Sequence, residues 1–326
     1  MSQPVSMVEI WRGPFLESAH SGHAVICDDT GQIVQAWGNP DQVTLSRSSS
    51  KMIQALPLIT SGAARAASLA PEQLSLACAS HSGAKLHTQA VRTWLGSLDL
   101  SEHDLRCGSH YPFDRDSEMA MISSDETPCQ CHHNCSGKHT GFLTLNKHIK
   151  GGSEYFEPDH PVQKAVLEAF ERTTGQSSPG FGIDGCSVPN FASTLHGMAR
   201  AMAHFAASPS DSAEAQLHQA MRLYPEFVAG EGRACTELMR AMDGKVAIKT
   251  GAEGFFIAII PEKKLGVALK ITDGTTRASE CAIAAILVKL GVLEPEHPVT
   301  QRFMNVPIKN ARGIGVGWIR PGPALL

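Results

Sequence analysis

No apolar run in this sequence is long enough to cross a membrane. The longest, Cys281 to Val288, ends far short of the roughly 20 residues that a spanning helix needs. Charge of one sign is also scarce. The formal net charge is −4, and no block of five or six like charges occurs. That argues against nucleic acid or an anionic membrane as partner, since both call for a concentrated basic face. A disulfide framework is missing too: an odd nine cysteines, scattered over 326 residues, fit free thiols in a reducing, cytoplasmic setting. The start, "MSQPVSMVEI", has no basic region followed by an apolar core, so no secretory signal is expected. There is no internal repeat and no linker that forces a split. What is present, 42% hydrophobic and 18% charged residues, belongs to a globular chain with material for one large domain or two smaller ones.

Two β-rich runs around "DDTGQ" in residues 23–37 predict a hairpin. "SRSSSKMIQALPLIT" predicts a helix with Met52, Leu56 and Ile59 on its apolar side. Residues 85–97 predict another, with Leu86, Val91, Trp94 and Leu95 facing inward. Residues 107–158 read mainly as loop, a length that is usually functional or hides short elements. "DHPVQKAVLEAFERTTG" predicts a helix capped by Asp159 and ended by Gly175. Helices are also expected over 190–207, 211–223 and 231–243. Strands and a hairpin then follow in "KVAIKTGAEGFFIAIIPEKKLGVALKITDG", and a last helix over 275–293. The tail beyond shows no period. This order predicts an α+β fold, an antiparallel sheet from N- and C-terminal strands packed with a helical block. One domain over 1–326 is expected, with a helical subdomain around 60–243.

Ser48 and Lys51 form S-x-x-K at a predicted helix start, a spacing that puts hydroxyl and amine on one face. A neutral lysine there can take the serine proton, and Met52, Ile53, Ala55 and Leu56 supply apolar surroundings. The pattern is common by chance, and Ser82 with Lys85 also matches it in a Gly-containing turn. "KTG" at 249–251, where a strand begins, adds the second half of the serine acyl-transfer signature of β-lactamases and penicillin-binding proteins. The S-D-N element between them is missing, with only "SSDE" at 123–126 as an echo. Ser80, in "CASHSG", is a candidate to fill that gap, or simply a turn serine.

"CQCHHNCSGKHTG" suggests phosphate or metal. The phosphate loop G-x-x-x-x-G-K-[ST] fails: the residue five before Gly137 is His132, and His139 follows Lys138. Cys129, Cys131, His132, His133 and Cys135 are too crowded to chelate one ion as a set, and no second local pair follows. Asp184 and Cys186 in "DGCSVPN" are available as distant partners, while buried free thiols are the simpler reading.

Taken in order, "RSSSKMIQALP", "CASHSG", "NCSGKHTGFL", "DGCSVPN", "VAGEGRACT" and "KTGA" resemble the Rhizobium etli-type L-asparaginases over nearly all of residues 5–320. The resemblance implies hydrolysis of L-asparagine to L-aspartate and ammonia, a fold similar to serine β-lactamases and serine-type glutaminases, and a homodimer. It implies two Ser–Lys tandems, Ser48 with Lys51 and Ser80 with Lys249. It places one zinc ion per chain on Cys135, Lys138 and Cys186, shaping the pocket rather than supplying the nucleophile. Asp184 and His139 are expected to line the substrate pocket, with Arg47 as a contact for the substrate carboxylate. Cys129 and Cys131 receive no role and read as structural thiols. Two other functions fit parts of the pattern. One is a serine amidase or β-lactam-recognising hydrolase with a different substrate; the other is a zinc-dependent interaction module.

Overall fold

Why the chain reverses after its second strand is a matter of one turn. Asp28 Oδ1 accepts hydrogen bonds from the Thr30 N–H (2.9 Å), the Thr30 hydroxyl (2.6 Å) and the Gln32 N–H (3.1 Å). Gly31, at φ +82°, then takes the left-handed conformation that closes the turn. A computed structural model describes residues 3–326.

In chain order the elements begin with β1 (Val5–Arg12), β2 (Phe15–Cys27), β3 (Ile33–Trp37) and β4 (Val43–Leu45). Helices α1 (Lys51–Thr60), α2 (Ala63–Ala66), α3 (Pro71–Ala77), α4 (Lys85–Ser97), α5 (Arg115–Ser123), α6 (Ser136–Ile149) and α7 (Pro161–Thr174) follow. Strands β5 (Phe181–Ile183) and β6 (Pro189–Thr194) lead to α8 (Leu195–Ala207), α9 (Ala213–Leu223), α10 (Pro225–Val228) and α11 (Ala234–Ala241). The rest is β7 (Ala247–Gly251), β8 (Phe255–Ile260), β9 (Leu265–Ile271), α12 (Thr276–Lys289), α13 (Pro298–Met304), β10 (Val306–Lys309) and β11 (Gly315–Pro321).

The chain divides into two compact units, one of residues 1–49, 193–207 and 237–326, the other of 50–192 and 208–236. The first is built on an antiparallel sheet ordered β10-β11-β1-β2-β9-β8-β7, with β3 paired to β2. The expected union of N- and C-terminal strands is therefore present. β8, "FFIAII", is buried at every position, as a central strand covered on both faces should be. Helix α8 lies against β2, β8 and β9, and α12 against β1, β8, β9 and β11. Gly266 on β9 permits the α8 contact, because a Cβ there would overlap the Ala199 carbonyl and the Ala203 amide.

The second unit is mostly helical. Helix α1 packs on α6, α7 and α9, and α3 packs on α6 and α9. Here several expectations shift. α7 is capped by His160, whose Nδ1 accepts from the Val162 N–H at 3.1 Å, rather than by Asp159, though it ends at Gly175 as expected. Leu86 on α4 is 43% exposed, whereas Val91, Trp94 and Leu95 are buried. Helix α6 occupies the middle of the stretch read as loop. Residues 190–194 are strand before α8 starts, and the tail supplies β10 and β11.

Candidate active site

Residues 47–50 form a turn of 3-10 helix, entered through Arg47 at φ +50°. Ser49 is buried and its hydroxyl donates to the Lys249 carbonyl at 2.9 Å. Ser48 is half-buried. β7 lies hard against this turn: a Cβ on Gly251 would sit 2.6 Å from the Ser46 carbonyl and 2.9 Å from Ser49 Oγ. The glycine of "KTG" is thus a close-approach residue. Lys249 is fully buried, and its Nζ donates to the Thr250 carbonyl at 2.7 Å.

In the second unit, Lys51 opens α1 and is fully buried. Its Nζ donates to the Ala79 carbonyl, to Ser80 Oγ at 2.9 Å and to Cys135 Sγ at 3.0 Å. Lys51, one of two lysines weighed for separate serines, therefore reaches Ser80 directly. Ser80 follows the end of α3, held by its N–H to the Val228 carbonyl at 2.9 Å. Beside it, His81 Nδ1 accepts from the Gly83 N–H at 3.1 Å, so Nε2 carries the proton and donates to Ser136 Oγ at 2.9 Å. Ser136 in turn donates to the Cys131 carbonyl at 3.0 Å. Burial, then the charges of His87 and Lys51, keeps His81 neutral, well below its ordinary range.

Helix α6 carries the next group. Gly137 packs against Leu76 of α3, whose Cγ would lie 2.6 Å from an added Cβ. This close approach buries Cys135, Lys138 and His139. Lys138 Nζ donates to Cys186 Sγ at 2.9 Å. Cys186 stands in the β5–β6 turn, which Asp184 closes with N–H to Val188 carbonyl and carbonyl to Ser187 N–H bonds of 2.9 Å each. A hydrogen bond from Cys186, with the Lys51 and Lys138 charges and His133, holds the Cys135 thiol well below its ordinary range despite burial. The same bond, and burial, push Cys186 up. Burial lowers Lys138, but the two sulfurs and Asp184 outweigh it and raise the amine. Half-buried Asp184 thus acts on Lys138 through its charge.

His139 contributes something further. Its Nδ1 lies 2.8 Å from the Tyr155 hydroxyl, which accepts from the Arg106 N–H at 2.9 Å. With the Tyr155 hydroxyl donating to Nδ1, the proton of the neutral ring sits on Nε2, which is buried with no hydrogen-bond partner among the described residues. Burial and the Lys138 charge hold this imidazole neutral. Tyr155 lies in no motif, and His81, although inside "CASHSG", received no role from the sequence.

A zinc ion is the group that the resemblance implies at Cys135, Lys138 and Cys186. Two sulfurs and one amine, all buried, with Cys186 bonded to both Lys138 and Cys135, form a soft donor set that fits it once the protons are given up. A cavity of about 670 Å³ lies elsewhere in the second unit, lined by residues such as Thr60, Arg65, Ser68 and Gln216. Among the described residues no helix is long and apolar enough to cross a membrane.

The sequence comparison supplies the class of protein. Residues 8–321 match the L-asparaginase II family, and the chain belongs to it. It is an amidohydrolase of the L-asparaginase type. No curated protein matches the chain significantly. Solved structures similar to it include a putative β-lactamase from Bacteroides dorei (TM-score 0.43, 13% identity, covering 77% of this chain and 84% of that one). A β-lactamase from Mycobacterium bovis matches with TM-score 0.42, 13% identity and coverage of 82% and 94%. The octameric penicillin-binding protein homologue from Pyrococcus abyssi matches with TM-score 0.34, 14% identity and coverage of 84% and 74%.

Proposed function

We propose that this chain hydrolyses L-asparagine to L-aspartate and ammonia through a serine acyl-enzyme. The observation that carries the reaction class is the family match over residues 8–321. For the nucleophile, the occupied hydroxyl of Ser49, bound to the Lys249 carbonyl, favours its half-buried neighbour Ser48. Ser48 Oγ attacks the side-chain amide carbon and gives its proton to Lys51. The tetrahedral intermediate collapses with loss of the amide nitrogen, which takes a proton and leaves as ammonia. Ser80 and Lys249 pass that proton, a role supported for Ser80 by its 2.9 Å hydrogen bond with Lys51. Water then attacks the β-aspartyl ester, releasing aspartate and restoring the Ser48 hydroxyl.

Asp184 pairs with the substrate α-ammonium, Arg47 with its α-carboxylate, and the unpartnered Nε2–H of His139 offers a donor to the bound amino acid. Cys135, Lys138 and Cys186 would hold zinc. Bound there, the ion supplies a fixed positive charge that polarises and shapes the pocket. The chain acts as a homodimer, a state that sedimentation of the purified protein checks.

Ser48→Ala tests the central step. Asparagine-dependent ammonia release should fall roughly 10³-fold or more, and turnover near wild type would remove Ser48 as nucleophile. Wild type should also prefer asparagine to glutamine and to a chromogenic β-lactam. Preference for the β-lactam would move the chain to another substrate class.

A further inference from the structure

A second set of metal-ligating side chains lies apart from Cys135, Lys138 and Cys186. Glu102 sits in a short 3-10 turn (Glu102–Asp104), and Cys129 and Cys131 flank Gln130 at the next one (Gln130–His132). Their carboxylate oxygen and two sulfurs lie within 4.8 Å of one another. Gln130 stitches the two loops together: its Nε2 donates to the Glu102 carbonyl (3.0 Å) and the Leu105 carbonyl (2.9 Å), and its Oε1 accepts from the Gly108 N–H at 3.0 Å. With Gln130 so engaged, both neighbouring cysteines stand beside Glu102.

Two observations point to a ligand at this place. The Glu102 carboxyl meets the Cys129 thiol, yet its Oε2 is buried with no hydrogen-bond partner among the described residues, a costly position for a carboxylate oxygen. Arg92 Nη2 donates to Cys129 Sγ at 3.1 Å, so a guanidinium stands ready on the sulfur. Two thiolates and a carboxylate around a dication leave one excess negative charge, which Arg92 neutralises. His132 does not compete as a ligand through Nδ1, since that atom accepts from the Cys129 N–H at 3.1 Å and so holds the loop. A tetrahedral zinc with Zn–S near 2.3 Å sets its ligands about 3.8 Å apart, so the donors need to draw together by only about 1 Å. Two sulfurs select a borderline-soft ion such as zinc over magnesium or calcium.

We propose that Glu102, Cys129 and Cys131, with water in the fourth position, bind a structural zinc-type ion that clamps the Glu102 turn to the loop leading into α6. This revises the reading of Cys129 and Cys131 as plain structural thiols. The site does not rest on the asparaginase mechanism, although it braces the segment that delivers Cys135 and Lys138.

Metal-stripped protein reconstituted with Co(II) tests it, read by bound cobalt per chain and by thiolate-to-cobalt charge-transfer absorption. Cys129→Ser and Glu102→Gln, both at partly exposed positions, should each lose one equivalent of cobalt, and thermal stability should lose part of its dependence on added metal. Cys135→Ser should keep that equivalent. If wild type holds a single ion that survives Cys135→Ser and disappears in Cys129→Ser, the present site stands and the zinc of the proposed active site fails. Unchanged cobalt content and absorption in both Cys129→Ser and Glu102→Gln overturn the proposal. So does thiol titration showing Cys129 and Cys131 oxidised to each other in the purified protein.

Discussion

Lys51 and Ser80, 29 residues apart in the chain, stand with Nζ and Oγ 2.9 Å from each other. The same nitrogen also reaches the Ala79 carbonyl and the Cys135 sulfur. One buried side chain thus joins the first helix, the serine loop after α3 and the entry to α6. Lys51→Met removes all three hydrogen bonds and leaves the Cys135 sulfur without that charge. Stability should fall by about 3 kcal/mol, the cost of stripping one partner from a buried charged network. Turnover should fall roughly 10²-fold or more, the contribution of a positioned proton carrier. Ammonia release and urea unfolding check both. In a cycle with Ser80→Ala, the two losses in kcat should not multiply, because the residues share one bond. Multiplying losses would separate their roles.

Gly251 offers a test of position rather than chemistry. Its added Cβ would meet the Ser46 carbonyl at 2.6 Å, and backbone cannot move aside as a side-chain tip can. Gly251→Ala should cost about 1–3 kcal/mol by overpacking and shift the turn that carries Ser48, lowering kcat roughly tenfold or more. Gly96, exposed on α4, is the control, since a Cβ there meets nothing within 4 Å. Gly96→Ala should leave kcat unchanged and raise stability by about 0.4–1 kcal/mol. Wild-type activity in Gly251→Ala would show that the close packing is irrelevant to catalysis.

The glycine contrast also explains what could be read in the sequence. α4 and α7 declared themselves because each buries one stripe and exposes another. α6 did not: residues 136–146 are buried throughout, its Cys135 cap provides no side-chain hydrogen bond, and Gly137 and Gly141 weaken any helical signal. β11 escaped for a related reason. Gly317 replaces a side chain where the strand crosses the Trp11 carbonyl, and its ladder partner β1 lies at the other end of the chain. Of the candidate site, Lys51, Ser80, Cys135, Lys138 and Cys186 came from short motifs that the second unit brings into contact. Tyr155 and Glu102 belong to no motif, so only the folded arrangement reveals them.

The thiol pair Cys135 and Cys186 sets up a separate test of the zinc. If the ion shapes the pocket while Ser48 performs the chemistry, its loss should weaken substrate binding more than turnover. Cys186→Ser, or chelation of the wild type, should raise KM roughly tenfold to a hundredfold, the scale on which metal-site changes act. The kcat at saturating asparagine should change much less. Zinc should restore the chelated wild type and fail to restore the variant. A collapse of kcat with KM unchanged would place the ion in the chemical step.

His218 on α9 provides a pH dependence of stability away from the site. It is 4% exposed, and its Nδ1 is buried without a hydrogen-bond partner. Burial, helped by Arg222, lowers its pKa from 6.5 to about 4. The folded chain therefore binds fewer protons at this residue than the unfolded chain between pH 6.5 and about 4, and stability rises with pH across that window. The contribution is complete above the unfolded value and is lost as pH falls toward the folded one. Between pH 7 and pH 4.5 wild type should lose about 2–3 kcal/mol through this group. His81 and His139, also held neutral by burial, add to acid sensitivity in any variant that keeps them. The informative quantity is thus a difference. His218→Gln should show a loss smaller than that of wild type by about 2–3 kcal/mol over the same pH range. Urea unfolding at the two pH values measures it, and identical pH slopes for the two proteins would mean that His218 takes up its proton equally well in the folded chain.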